Sequence, residues 1–435
     1  MLLKPAGYGS MVFLLLILTL QAPAQYHYPE DKIISRISIE DERAQARRQR
    51  IYDQANALAT LSLDTSQWEI ENALWAVGQF LVRTPQSDQG FDRLMNIWNR
   101  LDQSVKISLL EAVYAIYPDK YIAQVRRIAE TATHRRLVAI SLSYLKRNNP
   151  VQWATWQRIL ATRFPNYNAD LFMQRLYQHL GAEVPGPLPS LDSLFAHQQL
   201  HKYKIVYSFQ RPNRDFPGLA VLQEADGFFA RDSAGKLLAF QQLARSANNL
   251  PFFITHGNTP QGLFAITGTD ISRSPYIGPT PNLQTPMMYE VTPPVFTHYF
   301  PLVFSATPEA IYRSYFPQNW QNWNGLMEAH DAGKIGRSAI IAHGTTIEKT
   351  WFEGMPWYPF TPTMGCLSIY ENWDPVTGKL VSFDQLNLVN TFLRTEGMKG
   401  YMMVINLQDE RTPVTVEEIE NLISNFEAGL HSDER

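Results

Sequence analysis

The stretch VPGPLPS at residues 184–190 holds three prolines and a glycine in seven positions. Each proline fixes φ and removes a backbone donor, so neither a helix nor a strand interior runs through it. It divides the chain, and the texture differs on its two sides. Before it, over residues 38–183, apolar residues recur at helical spacing. Leu74, Val77, Gly78 and Leu81 share one face, as do Leu94, Trp98 and Leu101, and then Leu109, Leu110, Val113 and Ile116. Ser66 and Glu69 have the spacing of a capping box. Pro85, Pro118 and Pro150 close segments 33 and 32 residues apart. A near-constant period with two helical stretches per unit predicts a helical-repeat, α-solenoid-like domain, with an irregular helical bundle as the alternative.

Residues 184–201 read as a Pro-rich linker, and beyond it the pattern turns to short strands and turns. Residues 205–208, 219–222, 252–255, 263–267, 339–342 and 401–406 read as strands. Residues 305–334 form a more helical, Trp-rich insertion, and 384–394 another helix. Thr415 and Glu418 cap a last amphipathic helix in the C-terminal segment 409–435. The expected class is multidomain α plus β, a helical-repeat domain followed by a β-rich domain over 202–408.

Composition narrows the partners. With 45% hydrophobic and 18% charged residues, the 435-residue chain has core material for two or three domains. The net charge is −3 and no basic stretch is interleaved with aromatics, so nucleic acid is not an expected partner. Lys4, the apolar run at 12–20 and Ala22-Pro23-Ala24 have the order of a secretory signal peptide over 1–24, with a retained anchor as the alternative. The run is short for a membrane span. The mature protein is therefore expected outside the cytoplasm, in the periplasm or cell envelope, with no stable transmembrane segment.

Cys366 is the single cysteine. An unpaired thiol in an oxidising compartment is a liability, which favours a chemical role over the plainer reading of a small buried hydrophobe. Upstream, IIAHGTT at 340–346 is an apolar strand that delivers His343 to its end, with Gly344 allowing a sharp turn. A thiol needs a base or a cationic neighbour to become a nucleophile, and an imidazole serves. Gly365 clears space for a substrate carbonyl, and the Cys366 N–H could receive the oxyanion. His256 reads either as a cleft residue or as a turn residue beside Gly257. His197 and His201 stand four apart without a third ligand, and there is no HExxH, so no metal and no cofactor are expected. The residues alone leave acyl transfer and a non-catalytic thiol both open. Alkylation no faster than that of a free thiol near neutral pH would favour the latter.

The words around these residues go further. HGTT at 343–346 followed by TMGCL at 363–367 resembles the signature of the L,D-transpeptidase family with the YkuD-type catalytic domain. NTPQGLF at 258–264 is similar to that family's Thr-Pro-x-Gly-x-Phe segment, and PMMYE at 286–290 to its Met-Pro-Tyr stretch. The resemblance covers about half the chain. It implies a β-rich domain acting on peptidoglycan stem peptides, with Cys366 as nucleophile and His343 as general base. Gly344 and Thr345 would shape the turn that holds the base, and Thr363 and Gly365 would line the acyl site. Met364 stands where the family usually has His, and Ser368 where Arg or Asn commonly follows, which leaves Arg337 or Arg273 as the expected carboxylate anchor. His343 and Cys366 are 23 residues apart, longer than is usual there, and the loop at 348–360 is expected to cover the cleft with aromatics. A hydrolase of the same fold and a wall-binding scaffold are the alternatives. The helical domain is a candidate surface for an envelope protein.

Overall fold

The computed structural model describes residues 26–63, 67–181, 186–299, 306–395 and 397–433. The signal-peptide segment and Ser66 of the expected capping box lie outside the described residues. The chain is mixed α/β, with an N-terminal helical region followed by two sheets. Among the described residues no helix is long and apolar enough to cross a membrane.

Among the described residues, eight α-helices build the helical region: α1 (Glu42–Ala57), α2 (Gln67–Phe80), α3 (Pro85–Asn96), α4 (Gln103–Ile116), α5 (Ile122–Thr131), α6 (Arg135–Asn148), α7 (Trp153–Arg163) and α8 (Leu171–Leu180). The even-numbered helices pack in a row, α2 on α4, α4 on α6 and α6 on α8, while α1, α5 and α7 flank them. The proline spacing follows this order. Pro118 follows α4 and Pro150 follows α6, whereas Pro85 opens α3 from its first turn rather than closing a segment. α6 is buried at every position from Leu137 to Leu145, as a helix covered on all sides must be.

The linker expectation needs correction: residues 191–201 form helix α9 (Leu191–His201), which buries Leu191, Leu194 and Phe195 against the sheet core. The sequence hid this helix because its start adjoins the proline cluster. Then follow β1 (Ile205–Gln210), β2 (Gly218–Gln223), β3 (Ala239–Gln242), β4 (Gly262–Ile266), β5 (Gly268–Asp270) and β6 (Asn282–Gln284). Helices α10 (Pro293–Thr297), α11 (Pro308–Arg313) and α12 (Met327–Ile335) precede β7 (Ile341–His343) and β8 (Leu367–Ser368). Helix α13 (Asp384–Leu393), strand β9 (Gly400–Asn406) and helix α14 (Val416–Asp433) complete the order.

The larger sheet runs β3-β2-β1-β9-β4, and the smaller β5-β6-β7-β8. β1 with β9 and β7 with β8 are the parallel pairs. Alternate residues of the larger sheet enter two different cores, as the two-residue period of a strand requires. Tyr207, Phe209, Tyr401 and Met403 face α9, α11 and α14, while Val206, Phe264, Met402 and Val404 face α13 and the smaller sheet. Both faces are covered, which is why these strands read as continuous apolar runs.

Two further expectations differ. Residues 252–255 are a turn, not a strand: Asn249 and His256 take positive φ on either side, and Phe253 and Ile254 are buried in the core of the helical region. The loop at 348–360 turns most of its aromatics into the core and lends Trp351 to a cavity wall. Phe352, Trp357 and Phe360 point inward and pack with Leu243. The insertion at 305–334 is part of the core, with Trp320 fully buried and its Nε1 donating to Ser190 O.

The two regions are joined at several places. Gln79 of α2 donates to Pro362 O at 2.9 Å, Arg48 of α1 pairs with Glu348, and Arg175 of α8 pairs with Asp331 of α12. The first described residues also lie on the sheet region. Tyr28 N donates to Asn390 Oδ1 and Asn390 Nδ2 to Tyr28 O, Ser35 N donates to Gly378 O, and Glu40 N to Pro375 O, before α1 begins.

Candidate active site

The site is built on the short parallel pair β7–β8. Ala342 lies opposite Leu367, and His343 opposite Ser368. Ala342 and Leu367 are fully buried in the core. By the two-residue period, His343 and Ser368 turn to the other face, and one step back Ile341 and Cys366 share that face. Cys366, one residue before β8, is thus diagonal to His343 in the strand register. The Ile341 N–H donates to Cys366 Sγ at 3.5 Å, and the thiol donates to Ala339 O at 3.5 Å. The thiol's hydrogen bonds therefore go to backbone groups, not to His343.

Burial pushes the Cys366 thiol up to about 11; the Ile341 N–H and the nearby Arg337 guanidinium pull it down, and Glu290 adds to the rise. Burial holds His343 down at about 4, against a smaller upward pull from its bond to the Gly344 carbonyl. That bond, from Nδ1 at 2.5 Å, fixes the tautomer. A carbonyl can only accept, so Nδ1 carries the proton and Nε2 keeps its lone pair, as a general base needs. At rest the pair is a neutral thiol and a neutral imidazole. Slow alkylation in the absence of substrate is therefore the expected behaviour of this site and no longer separates a nucleophile from a structural thiol.

The thiol-bearing turn is held from three sides. Thr363 Oγ1 donates to Cys366 O at 2.8 Å and accepts from Gly365 N at 3.1 Å. Thr259 Oγ1 donates to Gly365 O at 2.9 Å. These bonds leave the Cys366 N–H outside the turn's own network. Gly365 has φ +112°, and a Cβ there would collide with the Arg337 guanidinium. Only glycine suits both demands.

Arg337 and Ser368 are not placed as substrate anchors. Arg337 is 4% exposed and donates to the carbonyls of Phe252, Gly257 and Asn258. Burial lowers it to about 10, so it remains a cation beside the thiol. Ser368 donates to Thr361 O at 2.6 Å in the core. Both were expected to bind substrate, and in the structure their donors clamp backbone carbonyls. Arg273 is exposed in the loop between β5 and β6. Met364 is 42% exposed. His256 takes φ +63° and places Nδ1 3.3 Å from Glu111 of α4, which also pairs with Arg136 of α6. It is a turn residue tied to the helical region.

Gly344 and Thr345 form the turn after the base. A Cβ on Gly344 would strike the Glu371 carboxyl, and Thr345 N donates to Glu371 Oε2 at 2.8 Å. Among the described residues no cation pairs with Glu371; burial pushes its carboxyl up to about 8 against the smaller pulls of Thr280 and the Thr345 N–H. Sequence reasoning missed it. Its signal is parity: Leu367, Ile369 and Glu371 fall on the core-facing side of the chain leaving β8, where a carboxylate is out of place. Glu290 was also missed as a support. It accepts from Ala339 N at 2.7 Å and from Met287 N at 3.1 Å, holding Ala339 at φ +59° under the thiol. The segments 258–264 and 286–290 thus meet the thiol turn through Thr259 and Glu290.

No known protein family, curated protein or solved structure matches this chain.

Proposed function

We propose that the chain is an exported, L,D-transpeptidase-like cysteine acyltransferase acting on peptidoglycan stem peptides. The observation that supports the reading is the meeting of the His-Gly-Thr and Thr-x-Gly-Cys words at the parallel pair β7–β8, where His343 lies opposite Ser368, two residues after Cys366. His343 Nε2 takes the Cys366 proton as Sγ attacks the carbonyl of the L-centre residue. The carbonyl oxygen becomes an oxyanion facing the Cys366 N–H. Collapse breaks the amide bond, and His343 returns the proton to the departing D-amino acid. The thioester then passes to an amine of a second stem, giving a crosslink, or to water, giving a shortened stem. The Gly344 carbonyl orients the base throughout. None of these steps calls for a cofactor.

The test is incubation of the protein lacking residues 1–24, and of Cys366→Ala beside it, with purified tetrapeptide muropeptides, read by mass spectrometry. Crosslinked dimers that vanish in the variant are expected. Shortened stems alone would reassign the enzyme as a carboxypeptidase of the same fold. No turnover of any muropeptide would leave the wall-binding scaffold as the reading.

A further inference from the structure

Between α1–α2 and the segments that leave β7 and β8 lies a cavity of about 590 Å³, within the size range of sites for small organic ligands. Its walls come from both regions. Trp75 of α2 stands 5.5 Å from Tyr276 between ring centroids, and Phe80 stands 5.1 Å from Trp351. Set among these rings are the side-chain amides of Gln54, Asn72 and Asn372. Those amides make no hydrogen bond with another described residue. An amide offers donors and an acceptor together. Flat apolar rings beside uncommitted amides suit a ligand with an apolar C–H face and a rim of hydroxyls, which is the chemistry of a sugar ring. Charge agrees with a neutral or anionic ligand. The lining cations Arg47, Arg48, Arg50 and Lys349 outnumber Glu40, Glu348 and the buried Glu371, Arg48 being paired with both Glu40 and Glu348.

Position adds a second argument. Thr346 and Glu371 border the cavity, three residues after His343 and five after Cys366. Thr346 is at most about 11 Å of chain from His343, comparable with the roughly 10 Å that three extended residues of a stem peptide span, so a stem held there at its third carbonyl has the length to bring its sugar end to the cavity's edge. We propose that the cavity binds a saccharide and, resting on the function proposed above, that it holds the glycan unit carrying the donor stem. The helical region then supplies one wall of the substrate site.

The experiment uses full-length mature protein carrying Cys366→Ala, titrated calorimetrically with the peptide-free wall disaccharide, N-acetylglucosaminyl-N-acetylmuramic acid. Saturable binding is expected, weakened at least tenfold by Asn72→Ala and by Trp351→Ala. Thermal melts of both variants show that they remain folded, and Asn72, being half-buried, serves if Trp351→Ala does not. No binding, or binding that neither folded variant weakens, overturns the site. Equal binding of cellobiose overturns the assignment to wall glycan. With Cys366 intact, kcat/KM for the disaccharide-tetrapeptide should exceed that for the free tetrapeptide at least tenfold, and Asn72→Ala should remove the advantage. Saccharide binding without turnover of any muropeptide would sink the proposed reaction and leave the cavity's assignment standing. Turnover without saccharide binding would do the reverse.

Discussion

Gly365 and Glu371 carry the most exposed consequences at the residue scale. In Gly365→Ala the new Cβ meets the Arg337 guanidinium at a backbone angle that L-residues rarely adopt. The expected cost is about 1–3 kcal/mol in stability, read as a lowered melting temperature, together with loss of muropeptide turnover as Arg337 is displaced. Glu371 sets a pH dependence. Its folded carboxyl titrates at about 8, above its ordinary 4.5, so the folded state favours the protonated form. The stability it contributes is complete below pH 4.5 and is lost as pH rises through 8. Melting temperature should therefore fall between pH 5 and 8, and Glu371→Gln, which keeps an acceptor for Thr345 N, should flatten that fall. His343 works in the opposite direction on the acid side. Its folded value of about 4 lies below 6.5, so its contribution is present above pH 6.5 and is lost as pH falls through 4. The Cys366 thiol makes a third check. Its iodoacetamide reaction at pH 7.4 should be slower than that of glutathione and should climb towards pH 11.

At the scale of elements, what the sequence showed depended on whether local pattern and tertiary burial agreed. β1, β2, β4 and β9 were legible because strands buried on both faces are runs of apolar residues. Residues 252–255 carry the same run, but their apolar side chains enter the core of the helical region from a turn, and period alone cannot separate the two. His343, Cys366, Thr363 and Gly365 were legible through their words. The use of Arg337 and Ser368 as backbone clamps was not, because no sequence pattern records which carbonyl a donor meets. The turn at 252–258 is held on the helical region by Arg136, Glu111 and His256, and on the thiol side by Arg337. Arg136→Ala removes one end of this chain of contacts and leaves Glu111 half-matched. Amide exchange across 252–258 should quicken by at least fivefold, and turnover should drop more than the melting temperature suggests. Unchanged exchange there would show that Arg337 alone holds the turn.

For the whole molecule, the two regions share a hydrophobic core through Leu250, Phe253 and Ile254 and are bound by the Arg48–Glu348 and Arg175–Asp331 pairs. Calorimetry should therefore record one cooperative unfolding transition, not two. A fragment restricted to 186–433 bares those three side chains, at about 1.5–3 kcal/mol each for the larger ones. It should be poorly soluble or melt well below the intact protein. The N-terminal strap has a mechanical consequence. Its backbone at Tyr28, Ser35 and Glu40 is bonded to Asn390, Gly378 and Pro375 before the helices begin, and the chain returns to the sheets after α8. The helical region is thus a closed loop pinned at both ends. Tension applied ahead of Tyr28 meets the bonds to Asn390, Gly378 and Pro375 before it meets the helices.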